Sequence, residues 1–101
     1  MIDKTKIIDA VCERLEALPV NHCLDLRTYK RNRSVTIVKE AEDDLLIIEN
    51  GFFKERFRTQ PVKLRKVLKT LIKKEFPRSR KIRLYVLDTF KEDPLNKRKI
   101  L

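Results

Sequence analysis

Ile7, Ile8, Val11, Leu15 and Leu18 recur at steps of three and four residues, with Lys4, Lys6, Asp9, Glu13, Arg14 and Glu16 between them, so the spacing predicts a helix over residues 3–18. Asp3 is its predicted N-cap. Pro19 stops it, because the residue before a proline is pushed out of the α region. From Asn21 the period becomes two. Leu24, Leu26 and Thr28 alternate with Asp25, Arg27 and Tyr29, a polar turn of Lys30, Arg31, Asn32 and Arg33 follows, and a second alternating run begins at Val35. This reads as a hairpin. The cluster Glu40, Ala41, Glu42, Asp43, Asp44 then precedes Leu45, Leu46, Ile47 and Ile48, an unbroken apolar run that predicts a strand covered on both faces or placed at the sheet centre.

Asn50 and Gly51, the latter the only glycine, predict a tight two-residue hairpin turn, since both residue types tolerate the positive φ of a type I′ turn. Beyond it Phe53 and Phe57 fall on one face of a returning strand, and Lys54, Arg56 and Arg58 on the other. Thr59, Gln60 and Pro61 form a helix-start signature, with Thr59 as the expected cap and Pro61 in the first turn. The second helix is predicted over residues 60–76. Its Leu64, Val67, Leu68, Leu71 and Ile72 form the apolar arc, and Pro77 ends it. Ile82, Leu84 and Val86 alternate with Arg83, Tyr85 and Leu87 in a last strand. The expected architecture is α+β, order α-β-β-β-β-α-β, a mostly antiparallel sheet with two helices on one face. Residues 1–90 are expected to form one domain, and 91–101 a flexible basic tail.

In topology the first part resembles the α-β-β-β-α order of the double-stranded-RNA-binding domain. The glycine-containing basic loop of that family is replaced by Arg58, Thr59, Gln60 and Pro61, and an extra strand follows. The chain is therefore not assigned to it.

Composition then separates binding from catalysis. Residues 54–83 hold thirteen Lys or Arg against Glu55 and Glu75, a local net charge of +11 in a chain of net +10. A field confined to one segment has a direction and attracts a polyanion. On the second helix Lys63, Lys66, Lys69 and Lys73 lie off the apolar arc with no acidic residue among them. Arg56 and Arg58 on the preceding strand, and Arg78 and Arg80 after the helix, are expected to widen the patch. Lys4, Lys6 and Lys97 carry similar charge outside it. The expected function is nucleic-acid binding, RNA or DNA, through the phosphate backbone with little sequence preference. The alternative is a protein-interaction module whose basic face meets an acidic protein surface. Lysines act as point charges on phosphates, whereas base reading leans on Arg, Asn and Gln. Phe52, Tyr29, Tyr85 and Phe90 are the stacking candidates, each better read as packing.

Cys12, Cys23 and His22 are the only soft ligands and lack the spacing of a zinc site, so no metal and no cofactor are expected. His22 has no nucleophile beside it except Cys23, which a strand would turn to the opposite face. No catalytic motif occurs, and an enzyme is not expected. No apolar run approaches the ~20 residues of a membrane span, and the N-terminus leads into an amphipathic pattern, so the expected location is cytoplasmic.

Overall fold

Periodicities of two and 3.6 resolve into eight elements in the computed structural model, which describes residues 2–28, 33–51 and 54–87. They are β1 (Ile2–Asp3), α1 (Ile7–Ala17), β2 (Cys23–Arg27), β3 (Ser34–Ala41), β4 (Asp44–Asn50), β5 (Arg56–Thr59), α2 (Pro61–Glu75) and β6 (Lys81–Leu87). The strands form one six-stranded antiparallel sheet in the order β1-β6-β2-β3-β4-β5. This is the α+β architecture expected, with a two-residue strand added at the N-terminus. The expected tail, like the hairpin tip at 29–32, lies outside the described residues.

Both helices bury their apolar arcs on the same sheet face. Ile7, Val11 and Leu15 of α1 and Leu64, Leu68, Leu71 and Ile72 of α2 join Leu24, Leu26, Val35, Ile37, Leu45, Ile47 and Ile82 in one core. Each fully buried aliphatic side chain of this kind contributes ~1.5–3 kcal/mol. Strand neighbours point the other way. Cys23, Val38 and Leu46 form a second apolar cluster with Ile48 and Leu87 on the opposite face, which accounts for the unbroken apolar run of β4.

Three local expectations are corrected. Asp3 does not cap α1: Ile2 pairs with Ile82 and Asp3 with Lys81, so the backbone is extended there. The Asp3 carboxylate instead accepts from the Thr5 N–H at 3.0 Å, which holds its pKa below the ordinary value, and α1 starts at Ile7. Thr59 is the last residue of β5, and the N-cap of α2 is Gln60, with Pro61 in the first turn as expected.

The third correction concerns the turn. Gly51 has no positive φ, and pairing resumes beyond it with the Glu49 N–H on the Glu55 carbonyl and Ile48 opposite Arg56. A two-residue turn at Asn50 and Gly51 would have set Lys54 opposite Ile47 and Arg56 opposite Leu45, on the face beneath the helices. The observed register sets Phe57 opposite Ile47, and Phe57 packs against the core. A one-residue slip exchanges the faces of a strand, so burial of Phe57 rather than turn propensity decides the register. The tight turn of the sheet falls instead at Glu42 and Asp43, between Ala41 and Asp44, where a bulge at Lys39–Ala41 precedes it.

Candidate nucleic-acid interface

The apolar arc of α2 fixes where its lysines point. Because Leu64, Leu68, Leu71 and Ile72 are buried, Lys66, Lys69 and Lys73 are carried to the opposite side and are exposed, with Lys63 exposed on the adjacent flank. Between Lys63 and Lys73 the ridge is about 15 Å long at ~1.5 Å per residue. Among the described residues no carboxylate forms an ion pair with any of the four lysines.

Other basic side chains nearby are neutralised. Arg65 turns from the ridge toward α1 and binds Asp9 at 2.6 Å. Lys74 turns toward β4, 3.2 Å from the buried Glu49 carboxylate and 3.6 Å from Glu55, and these contacts raise its pKa. Burial, and secondarily the neighbouring Glu75, pushes the Glu49 carboxyl up, and the Lys74 ammonium pulls it back. Glu75, the one acidic residue of α2, is fully buried at the end of the helix, on the core side away from the ridge.

Arg78 and Arg80 follow α2 in the exposed turn after Phe76. Lys4 joins them, although it stands far away in sequence: its Nζ donates to the Phe76 carbonyl at 2.8 Å and its N–H to the Arg80 carbonyl at 2.7 Å. Lys4 therefore belongs to the basic surface from which sequence position had separated it. What brings it there is the pairing of β1 with β6, a long-range contact with no local signal.

Arg56 and Arg58 do not belong to the same surface. They flank Phe57, whose ring faces the core beneath the helices, so they project from the other face of the sheet. There Arg58 is bidentate on Glu40, at 2.8 and 3.4 Å. Tyr85 shares that face, in the row of Asp25, Thr36, Ile48 and Arg56, and is half-buried. Tyr29, Phe52 and Phe90 lie outside the described residues. The predicted patch thus divides into a helix ridge with Arg78 and Arg80 on one side and two strand arginines on the other.

Cys12 and Cys23 are free thiols. Burial pushes both thiols up, Cys23 to about 11, so neither carries the lowered pKa of an activated thiolate. Among the described residues no three His, Cys, Asp or Glu side chains gather to hold a metal, and no helix is long and apolar enough to cross a membrane. Comparison with known protein families, curated proteins and solved structures finds no match to this chain.

Proposed function

We propose that this protein binds nucleic acid by its phosphates along the outer ridge of α2, through Lys63, Lys66, Lys69 and Lys73, with Arg78, Arg80 and Lys4 extending the contact at the helix C-terminus. The observation that carries this reading is the selective lack of ion pairs. Arg27, Arg58, Arg65 and Lys74 each hold a carboxylate, while the four ridge lysines hold none among the described residues. A helix that only needed solubility would mix signs, because like charges three and four positions apart are destabilising. Lys63 in the first turn also opposes the helix dipole, and α2 has no acidic residue there. The fold gains nothing from this arrangement, and a polyanion does. A strand of duplex presents one phosphate every ~3.4 Å of axis, so a 15 Å ridge meets several.

Anisotropy titrations against duplex DNA, duplex RNA and single strands at a series of salt concentrations test the reading. Four to six neutralised phosphates on a duplex give a slope of log K against log salt between about −3.6 and −5.4. The triple variant K66E/K69E/K73E is expected to keep the fold, lose nearly all binding and flatten the slope. A single-charge comparison guards against a bulk effect: K69E must weaken binding more than R14E, since Arg14 sits on the flank of α1 away from α2. Equal losses would reduce the effect to net charge. Absence of nucleic-acid binding by wild type at low salt would leave the acidic-protein reading.

A further inference from the structure

The two edges of the sheet are unequal. At one end β5 is four residues long, carries Arg56 and Arg58, and runs directly into Pro61, features that discourage strand addition. At the other end β1 covers only Lys81 and Ile82 of β6, while β2 pairs with β6 from Arg83 to Leu87 on the inner side. Among the described residues no strand lies against the outer edge of β6 from Arg83 to Leu87. The direction of its backbone follows from one bond: the Arg80 carbonyl accepts from the Lys4 N–H, so alternate residues from Arg80 onward turn toward β1. Leu84 and Val86 therefore aim both N–H and C=O outward.

A groove accompanies this edge. Asp9 reaches α2 through Arg65, which places Arg14 and Ala17 on the opposite flank of α1, above β6. Glu13, Arg14, Ala17, Leu18, His22 and Val86 line a groove of about 340 Å³ there. Val86 is 47% exposed although its side chain lies on the core-facing side of the sheet, because α1 does not reach over it. An open strand edge beside a helix, with a small apolar groove between them, is the geometry by which an extended peptide adds a strand: main-chain hydrogen bonds supply affinity and alternate side chains enter the groove.

We propose that the outer edge of β6 binds an extended acidic peptide segment of a partner protein, antiparallel to Leu84 and Val86 and collinear with β1, with a small apolar side chain seated against Ala17, Leu18 and Val86. Charge selects the occupant. Arg14 lines the groove, Arg80 is exposed just before β6 where its carbonyl meets β1, and Glu13 is the one carboxylate among the lining residues. A second copy of this chain brings a further net +10 to the contact, whereas a segment with carboxylates at both ends is attracted.

The test uses the full chain and a capped nine-residue peptide of alternating valine and threonine with glutamate at each end, compared with the same peptide ending in lysine. Amide exchange followed by NMR is expected to show Leu84 and Val86 N–H groups exchanging fast in the free protein and slowly with the acidic peptide. The lysine-ended peptide is expected to bind about tenfold more weakly. Ala17→Glu, at an exposed position lining the groove, adds both bulk and a repelling charge and is expected to weaken binding at least tenfold without altering the melting temperature, and K66E/K69E/K73E to leave it within about twofold. Slow exchange of Leu84 and Val86 in the free monomer would show the edge already closed. Protection that appears only with concentration-dependent dimerisation would assign the edge to a second copy, and binding that K66E/K69E/K73E abolishes would assign the peptide to the lysine ridge. Any of these three results overturns the proposal.

Discussion

Replacing Gly51 by Ala separates two reasons for a glycine. The usual one, positive φ, does not hold at this position. The other is space: a Cβ built on Gly51 collides with a Glu75 carboxylate oxygen and comes within 2.8 Å of Arg33 Cγ and 3.0 Å of Arg33 Cβ. Glu75 is fully buried at the C-terminal end of α2 and has little room to withdraw. Overpacking of a filled site costs ~1–3 kcal/mol. Against this, Gly→Ala at an unstrained φ stabilises by ~0.4–1 kcal/mol through the unfolded chain. The collision wins, and a net loss of about 1–2 kcal/mol is expected, or on the order of 5–10 °C in Tm for a domain of this size. Thermal and urea unfolding of Gly51→Ala, Glu75→Ala and the double variant form the cycle. If space is the reason, Glu75→Ala relieves the collision and the two losses fall short of additive by at least ~0.5 kcal/mol. Gly51→Ala as stable as wild type would refute the steric argument, and strict additivity would return the explanation to the backbone.

Two further outcomes follow from the buried groups. Cys23 is fully buried with its thiol pushed up to about 11, whereas Cys12 is half-buried, so a thiol reagent at pH 8 should titrate one equivalent in the native protein and two in denaturant; two native equivalents would contradict the packing of Cys23. Burial raises the pKa of Asp25 above 3.8, even though Arg27 and Thr36 bind the carboxylate, and burial likewise raises Glu49 above 4.5. A folded state that holds these protons more tightly than the unfolded chain is stabilised fully below those values and loses that stability as pH rises through the raised ones. The urea midpoint should therefore fall as pH rises above about 4, and Asp25→Asn and Glu49→Gln should each flatten the fall; a midpoint that climbs through this window in wild type, or is as steep in both variants, refutes the assignment.

Strong local signals survived folding and weaker ones gave way to long-range pairing. The periodicities of α1 and α2 were legible because each buries one arc, and Pro19 and Pro77 bound them from outside. The unbroken Leu45, Leu46, Ile47 and Ile48 was legible because both faces of β4 meet apolar neighbours. The Asn50 and Gly51 signal was outweighed because local turn preference is small beside burial of Phe57, and because a glycine can serve a close approach as well as a positive φ. Asp3 and Thr59 failed as caps for a related reason: pairing with Lys81 and Leu45 holds both in strands. The ridge of Lys63, Lys66, Lys69 and Lys73 was legible from helical spacing alone, as was the burial of Val67's neighbours that turns it outward. Which arginines share that surface was not, since only the register of β5 shows that Arg56 and Arg58 face away.

The arrangement of the helix layer keeps the two proposed surfaces apart. α1 and α2 lie antiparallel, with Asp9 and Arg65 joining their facing flanks and Lys4 reaching from the start of α1 to the end of α2. α2 sits on the side of β4 and β5, as the contact of Lys74 with Glu49 and the burial of Phe57 show. α1 sits on the side of β6, where its free flank borders Val86. The lysine ridge and the β6 edge are thus separated by the width of α1. A polyanion on the ridge neutralises charge without touching Leu84 or Val86, and an acidic peptide on the edge leaves Lys66, Lys69 and Lys73 uncovered. Among the described residues Arg80 and Lys4 stand between the two surfaces, where β1 meets the turn after α2. Coupling between the two surfaces therefore reduces to competition for a few cations, an electrostatic effect that salt screens within ~10 Å at 0.1 M, rather than to steric exclusion.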